Sequence, residues 1–289
     1  MQPANQSTPS SDYAQSGIVK SPHWHWLVVF DVWLNNLTSG LFLVAACGEL
    51  FRPADFSQLA NTAYLIAWLV LLVDLLLLVL DLGDPKRFHH MLRVFKPSSP
   101  MSLGTWCLTV YSLPLTLLVV FQFIGSPPDG FHRALVIAAI PPAFGVMLYK
   151  GVLFSTSSQP GWRDARWLGS YLVSSTIMLG CIQLLLIAMF FDEPVATRLM
   201  RSAAATTILL NAITLGLLFF NLKPTLDEMQ TSQGVVRVTW SVAFATSAIT
   251  FVLIWQPQPF VSMITAGLLL AGTLWVRSAV VWLPHRIRS

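Results

Sequence analysis

Acidic and amide side chains lie inside two long apolar runs in the N-terminal third of this chain. Asp31, Asn35 and Thr38 fall in the first run, and their spacings of four and three residues put them on one face of a helix. Such a stripe fits poorly against an apolar surrounding, so we expect it to face the interior of a helix bundle. It can support proton or ligand exchange, or it can simply hydrogen-bond neighbouring helices.

The second apolar run contains two carboxyl groups seven residues apart, Asp74 near its middle and Asp81 near its end, and so on one helix face. Asp74 is flanked by leucines and valines that offer no hydrogen bond. Because burial disfavours the charged form, we expect Asp74 to be protonated unless a partner helix supplies a donor. The pair is a candidate proton path, and a structural hydrogen-bonded carboxyl is the alternative.

The composition indicates what must position these groups. The 289 residues are 55% hydrophobic and only 10% charged, whereas soluble domains carry roughly 25% charged residues. Apolar runs of about 20 residues, the length that crosses a bilayer core, recur along the sequence. The protein is therefore predicted to be an all-α polytopic membrane protein with eight spans, near 26–48, 58–82, 103–125, 131–154, 165–191, 200–222, 235–256 and 259–283.

The sequence divides into a polar tail, residues 1–22, and a membrane domain, residues 23–289. The tail is rich in Ser, Gln and Pro, and the apolar run after it is too long for a cleaved signal peptide. We expect the first span to act as its own insertion signal.

The cysteines and histidines argue against two kinds of redox centre in this chain. Cys47, Cys107 and Cys181 have no metal-ligand spacing, so no iron–sulfur cluster is expected. Haem ligands usually project into a bundle from facing helices. The six histidines lie outside the spans or at their ends, so no haem is expected either: His23, His25, His89, His90, His132 and His285.

A basic, proline-punctuated segment joins the second and third spans. It carries Lys86, Arg87, Arg93 and Lys96 between apolar residues such as Phe88 and Phe95. We expect it to lie in the membrane interface and present its cations outward, either to anionic lipid or to a docked protein. Arg87, Arg93 and Lys96 are the candidate docking residues.

Charge is unevenly distributed between the two membrane faces. The face with the basic segment also has Arg163, Arg166, the C-terminal arginines and Lys150, which we count with the loop after span four. The other face is close to neutral, so the positive-inside rule predicts both termini in the cytoplasm. Arg277 in the last span is expected to reach the interface or to pair with a carboxylate or ligand oxygen. Tyr149, taken alone, is typical of an interfacial aromatic residue.

The segment between spans two and three also carries a resemblance. The sequence resembles the polysulfide reductase membrane-subunit (NrfD-like, PsrC-like) family in this segment, before span one, at the end of span four and in the last span. The matching motifs are Asp81-Leu82-Gly83-x-Pro85-x-Arg87-Phe88, Arg93-x-Phe95-x-Pro97-x-Ser99-Pro100-Met101, Gly104-x-Trp106, Trp24-His25-Trp26, Tyr149-x-Gly151 with Pro160 and Trp162, and Arg277.

The resemblance implies two four-helix bundles and a haem-free anchor subunit in the inner membrane of a bacterium. Such a subunit binds quinone, either menaquinone or ubiquinone. It exchanges electrons with a ferredoxin-like iron–sulfur subunit, which often joins a molybdopterin or multihaem catalytic subunit.

The resemblance also implies roles for particular residues. Tyr149 matches a tyrosine that hydrogen-bonds a quinone carbonyl, and Arg277 matches the terminal arginine of the family. Asp31 falls where a relative has histidine, and Val28 where it has asparagine. Asp31 is therefore the expected proton donor or acceptor, with Asn35 as a replacement amide.

Three questions stay open on sequence grounds. In well-known relatives the docking face is periplasmic, which conflicts with the charge rule. A proton-coupled secondary transporter using Asp31, Asp74 and Asp81 is an alternative, although the spans lack the paired broken helices that such folds often have. A purely structural anchor without a quinone site is another.

Overall fold

The computed structural model describes residues 26–81, 85–125, 127–157, 161–227 and 233–283. The polar tail, residues 1–22, lies outside these ranges. The described residues form eight α-helices and a short 3-10 helix, Pro85–Leu92. The α-helices are α1 Trp26–Phe51, α2 Pro53–Leu80, α3 Pro100–Ile124, α4 Asp129–Ser155, α5 Leu168–Phe190, α6 Pro194–Asp227, α7 Gln233–Leu253 and α8 Pro259–Val281.

The predicted all-α plan with eight helices is confirmed. Seven helices are long and apolar enough to cross a membrane, whereas in α7 the apolar part is shorter, Val238–Leu253. Large apolar side chains such as Leu76, Phe123 and Phe220 are exposed on the outer surface, where lipid covers them.

Prolines explain where several helices begin earlier than predicted. Pro53, Pro100 and Pro259 stand at the first helical positions of α2, α3 and α8, where a missing N–H costs nothing. The largest difference is α6, which starts at Pro194 rather than near residue 200 and continues to Asp227. Hydropathy sees only the apolar middle of such a helix.

The helices pack as two groups of four, α1–α4 and α5–α8, with α1 at the boundary. Besides its neighbours α2 and α4, α1 packs against α5 and α8 of the second group. It is therefore buried over most of its length, and its polar stripe faces protein as predicted: Asp31, Asn35, Asn36, Thr38 and Ser39 are all buried.

Small residues bring α1 and α5 unusually close together. A Cβ added at Gly40 would collide with the backbone oxygen of Thr176, and one at Gly180 would collide with the backbone oxygen of Gly40. Close approach through glycine is a common way for membrane helices to pack, because lipid provides little force that drives them together. This crossing fixes α1, and with it the acidic stripe, against the second group.

Polar residues of the second group make the interhelical bonds expected of packing residues. Asn211 Nδ2 of α6 donates to Ser174 Oγ of α5 at 3.0 Å, and Thr214 Oγ1 lies 2.7 Å from that oxygen. Gln183 of α5 reaches the carbonyl oxygen of Leu37 in α1.

Candidate functional site

The buried stripe of α1 meets a lysine of α4 and a carboxyl group of α2. Lys150 Nζ lies 2.7 Å from Asp31 Oδ2, and both side chains are almost fully buried. Asn35 Nδ2 donates to Asp74 Oδ2 at 3.1 Å. The Asp31 and Asp74 carboxyl groups are themselves within hydrogen-bonding reach of each other. We call Asp31, Asn35, Asp74 and Lys150 the acid–lysine cluster.

The position of Lys150 corrects the sequence interpretation. We counted it among the loop cations, although it falls within the predicted span 131–154. In the structure it lies in the last two turns of α4 with 3% of its surface exposed. A lysine beside an aspartate in an apolar helix end was the available signal, but the two residues are 119 positions apart, which the sequence alone does not connect.

The cluster holds fewer positive charges than carboxyl groups. Asp31 and Asp74 together balance Lys150 only if one carboxyl group is protonated, and ionising both would leave a net negative charge out of water. Asp31 Oδ1, Asn35 Oδ1 and Asp74 Oδ1 are buried with no hydrogen-bond partner among the described residues. The cluster can therefore hold one exchangeable proton and accept further hydrogen bonds.

Tyr149 stands beside this cluster and is not an interfacial belt residue. It is 8% exposed, and the Lys150 ammonium lies 5.4 Å from the centre of its ring. Within the described parts of the protein, no group hydrogen-bonds its hydroxyl. The hydroxyl is thus a donor available to a ligand, within electrostatic reach of Asp31 and Asp74.

Gly104 gives the Tyr149 ring its place. The ring lies directly against this glycine at the start of α3, and a Cβ at position 104 would collide with three of its carbon atoms. No other residue type leaves this space free. The tyrosine, the glycine and the cluster come from α1, α2, α3 and α4, so the site belongs to the first group of helices.

The other predicted residues lie apart from the cluster. Asp81 is exposed at the C-terminal end of α2, on the same face of the protein as the basic segment. We call this end of the helices the site face. Arg93 and Lys96 are exposed there, while the side chain of Arg87 lies outside the described part.

Arg277 neither reaches the interface nor pairs with a carboxylate within the described residues. Its guanidinium is 2% exposed in α8, where it donates to Ser175 Oγ at 2.8 Å and to the carbonyl oxygen of Thr273 at 3.0 Å. It also lies over the Tyr171 ring. A contact between Trp33 Nε1 and Thr273 Oγ1, 3.3 Å, links this region to α1. The structure does not bring Arg277 into contact with Tyr149.

Two comparisons with known proteins agree with the resemblance seen in the sequence. The sequence profile of the family described as "Polysulphide reductase, NrfD" matches residues 16–282. The protein is 28% identical over 150 residues to a selenate reductase subunit of Mesobacillus selenatarsenatis, covering 52% of this sequence and 34% of that relative. It is 27% identical over 187 residues to a polysulfide reductase membrane-family relative from Wolinella succinogenes, covering 58% and 59%. The match thus spans less than two thirds of the length of either relative.

Proposed function

Because the chain belongs to the polysulphide reductase NrfD family, we propose that it is the membrane subunit of a respiratory oxidoreductase complex. It binds quinone or quinol, either menaquinone or ubiquinone, and exchanges electrons with a ferredoxin-like iron–sulfur subunit. Behind that subunit stands a molybdopterin or multihaem catalytic subunit. The names of both relatives, one from a selenate reductase and one from a polysulfide reductase, support a place in a reductase complex.

The Tyr149 hydroxyl next to a proton-holding cluster is the observation that carries this proposal. A quinone head group needs a hydrogen-bond donor at a carbonyl oxygen and a titratable group near it. Tyr149 is the donor with no partner of its own among the described residues, and the buried oxygens of Asp31, Asn35 and Asp74 are acceptors in the same state. The residues therefore fit the group.

Each residue has a defined task in this proposal. A bound quinol supplies two electrons and two protons, and a bound quinone takes them up. Tyr149 orients the head group through its hydroxyl, and Asp31 accepts or returns a proton at Oδ1. Lys150 stabilises the ionised form of Asp31, which matches the proton affinity of the carboxylate to the exchange. Asp74, hydrogen-bonded by Asn35, takes the proton onward, and Asp81 lies beyond it on the site face. A role of Arg277 at the quinone stays a prediction.

The exposed cations of the basic segment are proposed to dock the iron–sulfur subunit. Arg93 and Lys96 are exposed on the site face, the same end of the helices as Tyr149 and Asp31. Arg87 is included by its position in the same segment. A short distance between docking surface and quinone site is what electron transfer requires.

The orientation in the bacterial inner membrane also stays a proposal. Lys150 and Arg277 are buried, so they no longer count as loop charges in the positive-inside argument. The remaining loop cations still favour cytoplasmic termini. A periplasm-specific reporter fused to the C-terminus would be inactive in that orientation and active in the opposite one.

Two measurements test the proposed function. Purification of the tagged protein in mild detergent, with mass spectrometry of what accompanies it, should recover an iron–sulfur subunit with several four-cysteine motifs. In the recovered complex, Tyr149→Phe should slow quinol turnover by about tenfold, the effect of losing one good hydrogen bond in the transition state. A protein that purifies alone, or a Tyr149→Phe complex with unchanged turnover, contradicts the proposal.

A further inference from the structure

A second group of titratable residues lies at the opposite end of the helices. Tyr64 of α2 donates its hydroxyl proton to Glu49 Oε2 at 2.6 Å, and Nε2 of His132 in α4 lies 2.8 Å from Glu49 Oε1. Glu49 itself lies in the last turn of α1. The side chains of Glu49 and His132 are 13% and 26% exposed, so the group is partly open to water. We call these three residues the far-side triad.

A cavity connects the far-side triad to the surface. It has a volume of about 360 Å³ and is lined by Glu49, His132, Ser57, Asp129 and Arg133, among others. Polar residues dominate its wall, so it can hold several waters. Protons can therefore reach Glu49 from the aqueous phase opposite the site face.

The same face of α1 carries polar groups from the acid–lysine cluster toward the far-side triad. Asp31, Asn35, Thr38, Phe42 and Glu49 follow one another at spacings of four, three, four and seven residues, which keeps them on one side of the helix. They span 18 residues, which at 1.5 Å per residue is about 27 Å, close to the thickness of a bilayer core.

Side chains from α2 and α3 fill in most of this path. Asn35 is bonded to Asp74. One turn further, Thr38 Oγ1 lies 3.1 Å from the Tyr111 hydroxyl and donates to the carbonyl oxygen of Ala67 at 2.7 Å. These residues are fully buried, and a buried polar path with no function would cost stability that an apolar helix face would not.

Phe42 is the apolar residue that interrupts the path. Its ring centre lies 5.4 Å from that of Tyr111 on the cluster side and 5.4 Å from that of Tyr64 on the triad side. All three rings are buried. A proton must pass this ring, so its side chain separates the two ends of the path.

We propose that the far-side triad is the proton port of this protein. Glu49 accepts a proton from the path and passes it through His132 and the cavity water to the face opposite the site, with Phe42 as the barrier between the two halves. This inference rests on the proposed function. When one quinol is oxidised, its two electrons go to the iron–sulfur subunit, and its two O–H protons leave through the acid–lysine cluster. Quinone reduction runs the same steps in reverse.

The alternative is that Glu49 and His132 form a static ion pair that only fastens α1 to α4. Four further charged groups lie at this end of the helices: Arg52, Asp55, Asp129 and Arg133. Arg52 pairs with Asp55 at 3.4 Å on the surface, apart from Glu49. That exposed pair provides a matched control, because it is on the same face and does not adjoin the path.

The test uses the whole complex in proteoliposomes, with a pH-sensitive dye enclosed and quinol oxidation followed separately. We expect Glu49→Gln, which keeps an acceptor for Tyr64, to lose most of the proton signal on the triad side per quinol oxidised. Turnover in the presence of an uncoupler should stay close to the wild-type rate. His132→Gln should give the same loss, whereas Asp55→Asn should change neither quantity.

The outcomes separate this inference from the function on which it rests. A wild-type complex that does not oxidise quinol contradicts the proposed function itself. A complex that oxidises quinol but gives Glu49→Gln the same proton count as wild type overturns the port alone. Phe42→Ala gives an independent check: it should raise passive proton leak without turnover, and a leak equal to that of wild type contradicts the barrier.

Discussion

Replacing Lys150 by methionine removes the one positive charge of the acid–lysine cluster while keeping most of the volume of the side chain. At the 2.7 Å separation of Lys150 and Asp31, two unit charges attract each other by about 6 kcal/mol at an effective dielectric constant of about 20. Burying the two ions offsets much of this attraction, by several kcal/mol per ion. The pair as a whole is therefore close to neutral, but either half without the other is costly.

The cost of Lys150→Met can be worked from protonation. Without the lysine, the buried cluster avoids a net charge only if both Asp31 and Asp74 are protonated, one proton more than in wild type. Protonating an aspartate at pH 7, about three units above its ordinary titration, costs about 4 kcal/mol. Breaking a buried ion pair typically costs about 3–5 kcal/mol, which is in agreement.

The extra proton also sets the sign of the pH dependence. The folded variant binds one proton more than the folded wild type, so its stability falls as pH rises, by about 1.4 kcal/mol per pH unit relative to wild type. Asp31→Asn should destabilise by a comparable amount, because it leaves Lys150 without its partner. The double variant should recover much of the loss, with a coupling energy of at least about 2 kcal/mol.

The free energy of unfolding, measured by detergent-induced unfolding at several pH values, checks these expectations. Lys223→Met, which removes an exposed lysine of α6, is the matched control and should cost less than about 0.5 kcal/mol. A Lys150→Met protein that loses under about 1 kcal/mol, or a coupling energy near zero, refutes a buried ion pair.

Three further predictions concern other parts of the account. Gly104→Ala should displace the site tyrosine and lower quinol turnover, whereas Gly267→Ala, with no atom near the added Cβ, should not; equal rates contradict the packing. Replacing Arg93 and Lys96 by glutamate should release the iron–sulfur subunit during purification, and its retention removes these cations from the docking surface. Asp74→Asn should lower proton translocation while electron transfer continues, and parallel losses would reduce Asp74 to a structural role.

The fold could be predicted from the sequence because its main determinant is local. Each span shows as a run of apolar residues long enough to cross a bilayer, and all eight helices lie close to their predicted positions. The ends were less predictable. The long α6 extends through polar residues to Pro194 and Asp227, since neither its first turn nor its last is apolar.

The site was predictable only in part, for a physical reason. Helical spacing put Asp31, Asn35 and Thr38 on one face, and the family motif pointed to Tyr149. The partners of these residues come from other helices. Nothing near Lys150 in the sequence indicates Asp31, and Glu49 and His132 lie 83 residues apart. Tertiary contacts of this kind depend on how the helices pack, which periodicity does not determine.

The central claim, that quinone binds between α1 and α4 at Tyr149 and Asp31, is tested most directly by photolabelling. The complex is irradiated with an azido-quinone, and the labelled peptides are mapped by mass spectrometry, with excess unlabelled quinone as the competitor. The account predicts label on residues 26–51 and 129–155 that the competitor removes and that Tyr149→Phe reduces. Competitor-sensitive label confined to other helices, or no such label at all, contradicts it.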